Sequence, residues 1–100
     1  MSDDVRYNVF TLSNLWEVPN RVIYKWIESG KLPANKERGL FFVQRSDALK
    51  FARAYRKMPR AREYYIVSLT DWYKKEKEYD RLLKEIEKIE NNNSHNLQLF

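Results

Sequence analysis

In the stretch PNRVIYKWIESGKLPA, residues 19–34, Arg21, Tyr24, Lys25 and Glu28 recur at i, i+3, i+4 and i+7, opposite Val22, Ile23, Trp26 and Ile27. That spacing sets two cations and a phenol on one side of a helix and its apolar residues on the other. Such a side is equipped to bind, by charge and by hydrogen-bond donation. Bond-making chemistry has no comparable grouping. The acids Asp3, Asp4, Glu37, Asp71 and Asp80 fall in scattered caps, turns and solvated helix faces, with no nucleophile–base pair and no metal spacing. There is no cysteine, and His95 is the single histidine, which excludes a disulfide framework, a thiolate metal site, a cysteine nucleophile and a histidine cluster. No catalytic residue, metal, cofactor or small-molecule ligand is expected.

The elements that would carry this side follow from local signals. Asn8 can cap a first helix whose Val9, Leu12, Ser13 and Trp16 share a face, with Ser13 small enough for a neighbour to cross closely. Pro19 suits the first turn of a second helix, and Gly30 suits its C-terminal cap. Residues 35–45, NKERGLFFVQR, pass from a polar turn with one glycine to an apolar β-prone run, the pattern of a small hairpin. Ser46 and Asp47 can cap a third helix with an apolar stripe of Ala48, Phe51, Ala52 and Tyr55 and a basic one of Lys50, Arg53 and Lys57. The run 62–67, REYYIV, is β-branched and aromatic enough for a short strand or a packed linker. Ser68 and Asp71 then have capping-box spacing and open a long charged helix to about Asn91. On it Trp72, Tyr79 and Ile86 repeat every seven residues, as do Lys75, Leu82 and Ile89, with Leu83 beside them, a seam for another helix. Residues 92–100 read as a flexible polar tail, with Leu97 to Phe100 given no role.

One hundred residues with 43% hydrophobic side chains suffice for one small domain and an appendage. The fold class expected is mainly α with a small β-hairpin wing. Residues 1–60 carry a net charge of +6 and residues 61–100 one of −1, so the first module is the basic one and polyanions are its natural partners. No long apolar run or secretory leader is present, which points to a soluble, cytoplasmic protein without membrane contact.

Two short helices joined by a tight turn, followed by a hairpin in a basic module, form the plan of a winged helix-turn-helix. Residues 7–51 resemble the DNA-binding domains of the excisionase and MerR-like family. The resemblance lies in Tyr7, Val9, Ser13, Val18, the run Ile23, Tyr24, Lys25, Trp26, Ile27, the run Gly30, Lys31, Leu32, Pro33, Ala34, then Arg38, Gly39, Phe41, Phe42, Val43, Asp47, Leu49 and Phe51. Two positions depart from it. Glu17 stands where the helix–helix turn usually has glycine, and Pro19 where the second helix usually opens on Ser or Thr.

The resemblance implies double-stranded DNA as partner, with the second helix in the major groove and the wing on the backbone or in the minor groove. Asn20, Arg21, Tyr24 and Lys25 would then meet base edges and nearby phosphates, Arg21 above all. Lys31, Lys36, Arg38 and Arg45 would contact phosphates and position the domain. Residues 1–60 would be the DNA-binding domain, and residues 61–91 a connecting segment and dimerisation helix. Trp72, Tyr79, Leu82, Leu83, Ile86 and Ile89 would hold a homodimer that reads a two-part site. A transcription regulator, a recombination directionality factor and a plasmid or phage DNA-organising factor all fit, with a nucleoid-associated place in the cell. The alternative is a non-catalytic adaptor that docks a protein partner on the winged domain and long helix.

Overall fold

The computed structural model describes the backbone of residues 5–97 and the side chains of residues 5–91. In chain order these form β1 (Arg6–Asn8), α1 (Val9–Trp16), α2 (Asn20–Glu28), β2 (Asn35–Glu37), β3 (Leu40–Gln44), α3 (Arg45–Ala54), a single 3-10 turn (Tyr55–Lys57) and α4 (Glu63–Leu97). The protein is mainly α, with a small antiparallel sheet and a long C-terminal helix, as its sequence patterns led one to expect.

Local chemistry accounts for the first two helices. Asn8 is the N-cap of α1, its carboxamide oxygen accepting a 2.8 Å hydrogen bond from the Thr11 N–H. The helix ends at Glu17, which adopts a left-handed φ of 55° at the place where glycine would be least strained. Ser13 secures the turn from both sides. Its carbonyl accepts from the Val18 N–H at 3.2 Å, and its hydroxyl donates to the Val18 carbonyl at 2.7 Å. Pro19 lies just outside α2 as its cap, with ψ 145°, and its carbonyl accepts from the N–H groups of Val22 and Ile23. Gly30, at φ 82°, reverses the chain after α2 so that Leu32 becomes fully buried while its N–H donates to the Trp26 carbonyl.

The sheet order is β1-β3-β2, with Tyr7 opposite Val43 and Lys36 opposite Phe41. Glu37 pairs with Leu40 across a two-residue turn in which Arg38 and Gly39 both have positive φ, 52° and 83°. That is the tight hairpin turn whose twist matches the strands it joins. β1 was not foreseen. It adds a third strand to the expected hairpin by pairing with the free edge of β3.

The core packs aliphatic side chains around a cluster of buried aromatic rings. Trp16 is fully buried, stacked on Phe51 at a centroid distance of 5.7 Å and met edge-on by Trp72 at 5.6 Å. Trp26 lies 4.8 Å from Phe51 and 5.2 Å from Tyr55. Trp16 and Trp26 are thus core residues, as expected.

Three boundaries differ from expectation. α3 begins at Arg45 rather than behind a Ser46–Asp47 cap, and no side chain caps it. Residues 63–67 are helix and not strand, because Tyr65, Leu69 and Trp72 recur at helical spacing and are all buried against the other helices. Ser68 therefore sits inside α4 and does not open it; its hydroxyl donates to the carbonyl of Trp16 at the end of α1. α4 also continues to Leu97, through most of the expected tail, and at 35 residues it is about 50 Å long. Residues 98–100 of the tail lie outside the described residues.

The burial of Leu69 makes the first half of α4 part of the domain. Leu69→Ala should lower the unfolding free energy by about 3 kcal/mol in urea denaturation, as for other large-to-small changes at closed core positions.

Candidate nucleic-acid interface

α2 buries Ile23 and Trp26 and presents Arg21 and Lys25 to solvent. Neither cation makes an ion pair among the described residues. Between them in the helical spiral, the half-buried Tyr24 ring meets Phe41 of β3 edge-on at 6.1 Å. The ammonium of Lys36 sits 5.4 Å from the centroid of that same Phe41 ring. Phe41 therefore joins Tyr24 of α2 to Lys36 of the hairpin.

The hairpin's own carboxylate is already engaged. Glu37 accepts a 2.7 Å ion pair from Arg6, whose guanidinium also lies 4.6 Å from the Phe42 centroid. Lys36 and Arg38 are left exposed and unpaired among the described residues, and Lys31 is exposed in the turn after α2. Arg38 holds its left-handed conformation at the hairpin tip beside Gly39.

Four of the expected contact residues are placed otherwise. Tyr24 serves the packing of hairpin on helix. Asn20 is half-buried, and its side-chain oxygen is enclosed without a hydrogen-bond partner among the described residues. Paired recognition of adenine requires both halves of the amide, so Asn20 does not offer it in this conformation. Arg45 is not a free cation at the base of the wing. It donates to Glu76 at 2.8 Å and to Asp80 at 2.9 Å, fastening the start of α3 to α4, and these carboxylates hold its charge more firmly despite partial burial. The same cluster reaches Tyr7, whose phenol is raised above its ordinary value by burial first and by Glu76 second. Trp72, expected in a dimer seam, is instead packed in the core at 6% exposure.

Tyr79, Leu82, Leu83, Ile86 and Ile89 are all exposed on α4 beyond the core. Arg81 forms ion pairs with Glu78 and Glu85 on that same stretch. The sequence reading missed Arg60 and Arg62, which stand beside Arg21 and Lys25 in a common cleft. Their signal was the density of cations in RKMPRAR, residues 56–62, where four of seven are basic.

No helix among the described residues is long and apolar enough to cross a membrane, and no group of His, Cys, Asp or Glu among them could hold a metal ion. Comparison with protein-family models, with curated proteins and with solved structures returns no match to this chain.

Because Arg45 is the single cation facing Glu76 and Asp80 in these ion pairs, removing it strands two partly buried carboxylates. Arg45→Ala should cost about 2 kcal/mol of stability in chemical denaturation, more than the loss of an exposed pair such as Arg6 with Glu37.

Proposed function

We propose that the chain is a sequence-specific double-stranded DNA-binding protein that acts as a homodimer, with α2 in the major groove and the hairpin along the backbone or in the minor groove. The observation that carries this reading is the set of exposed cations without an ion pair among the described residues, Arg21 and Lys25 on α2 and Lys36 and Arg38 on the hairpin, two elements that meet through Tyr24 and Phe41. The likeness of residues 7–51 to excisionase and MerR-like domains supports the same reading. Arg21, in the first turn of α2, is assigned to base edges, and Lys31, Lys36 and Arg38 to phosphates. The job served, in transcription, recombination or DNA organisation, follows from the site that is bound.

The second copy is proposed to pair along α4. Tyr79, Leu82, Leu83, Ile86 and Ile89 recur at three- and four-residue intervals on a helix that projects past its own core, and all five are exposed. One domain of this size buries little DNA surface, so two copies on a two-part site would supply both affinity and specificity.

Fluorescence anisotropy on a pool of short duplexes, at low and at physiological salt, tests the reading. Affinity should fall steeply with salt and an enriched sequence should emerge from the bound fraction. Arg21→Ala should reduce discrimination between sites, whereas Lys36→Ala should weaken all of them alike and lower the salt slope by about 1. A protein indifferent to duplex at low salt would move the basic surface to an acidic protein partner.

Leu82→Glu with Ile86→Glu should convert a dimer to a monomer in sedimentation velocity while leaving the circular dichroism of the folded domain in place. A dimer that survives both charges would locate the interface elsewhere.

A further inference from the structure

The turn between the 3-10 segment and α4 carries two further exposed cations, Arg60 and Arg62. Residues 58–61 form a β-turn closed by the Ala61 N–H donating to the Met58 carbonyl at 3.3 Å, with Pro59 second and Arg60 third. Arg60 has φ 64°. A proline followed by a positive φ is the arrangement in which the third position strongly favours glycine, and a side chain there costs about 1 to 2 kcal/mol. The next residues are fixed as well. The Arg62 N–H donates to the Tyr55 hydroxyl at 3.1 Å, and the Arg62 guanidinium lies 5.9 Å from the centroid of the Tyr65 ring.

This turn and α2 enclose a cleft of about 370 Å³ whose polar lining is Arg21, Lys25, Arg60 and Arg62, with the rings of Tyr55 and Tyr65 beside them. Among the described residues no carboxylate lines it, and none of the four cations makes an ion pair. Four positive charges held together without an acid repel one another in the empty protein, and a bound anion relieves that repulsion. Guanidinium groups offer paired donors matched to phosphate oxygens, which a single ammonium does not. Strain retained at an arginine where glycine would be easier is the pattern of a ligand-contacting turn.

We infer that the cleft between α2 and the 58–62 turn binds a phosphate group, with Arg60 and Arg62 as its principal ligands and Lys25 as a supporting charge. The phosphate comes from the DNA backbone beside the groove that α2 enters, or from a free polyphosphate. The first source rests on the proposed duplex reading, and the second does not. Because Arg21 is also assigned to base edges, the test leaves it untouched.

The experiment compares wild type with Arg60→Gln/Arg62→Gln, with Arg60→Gly, and with Lys77→Gln/Lys84→Gln as a control of equal charge on α4. Each is titrated with duplex by anisotropy and with inorganic pyrophosphate by tryptophan fluorescence, Trp26 lining the cleft. The glutamine pair should weaken every duplex about tenfold and reduce the salt slope by nearly 2, without changing the preferred sequence. Arg60→Gly should lose part of that affinity while folding at least as stably as wild type, since it relieves the backbone. Duplex loss without pyrophosphate binding assigns the cleft to the DNA backbone. Saturable pyrophosphate quenching that the glutamine pair abolishes, with duplex affinity unchanged, assigns it to a free polyphosphate. Duplex and pyrophosphate binding both unaffected by the glutamine pair, or equally affected by the α4 control, would overturn the inference. A wild type that binds no duplex would end the DNA reading, and the pyrophosphate titration would still decide the cleft.

Discussion

The stack of Trp16 on Phe51, with Trp26 and Trp72 packed around it, is the contact through which all four helices are held. Trp16 belongs to α1, Trp26 to α2, Phe51 to α3 and Trp72 to α4, and each is nine-tenths or more buried. At 150–250 Å² per ring, apolar burial contributes roughly 4 to 6 kcal/mol for each. The indole N–H groups of Trp16 and Trp72 are enclosed without a partner among the described residues, a cost of about 1–3 kcal/mol apiece. Burial wins by a clear margin. Its consequence is that the first part of α4 is a structural member of the domain, so the direction in which its second part projects is set by the core.

Charge is sorted around this core. The carboxylates of Glu37, Glu76, Asp80, Glu78 and Glu85 are taken up by Arg6, Arg45 and Arg81. The exposed pairs among these are screened by solvent, so their weight lies less in stability than in which cations they leave over. Those without an ion pair among the described residues include Arg21, Lys25, Lys36, Arg38, Arg60 and Arg62, on α2, the hairpin and the turn before α4. A polyanion meeting this surface finds few acids to oppose it.

The helix-turn-helix and hairpin were legible in the sequence because independent local signals agreed. Asn8 capped where the apolar period began, and Gly30 and Gly39 fell where positive φ was needed. β1 was not legible, since three residues cannot show alternation and the strand exists only because β3 offers it an edge. The start of α4 was misplaced because β-branched and aromatic residues in 62–67 suggested a strand, while the decisive fact was which side of Tyr65 and Leu69 the core would lie on. Arg45 was read by type and neighbourhood, whereas its partners Glu76 and Asp80 are 31 and 35 positions away. Trp72 began a heptad pattern that runs without interruption from core to exposed seam, and sequence spacing does not say where one ends and the other starts.

Backbone amide chemical shifts recorded during titration with a bound duplex are the most direct measurement of the central claim, that α2 and the hairpin together form the DNA-contacting face. Perturbations should concentrate at residues 20–25, 36–39 and 60–62 and leave the buried positions of α4 near Leu69 unmoved. Perturbations confined to the exposed stretch 79–89, with α2 and the hairpin silent, would contradict it.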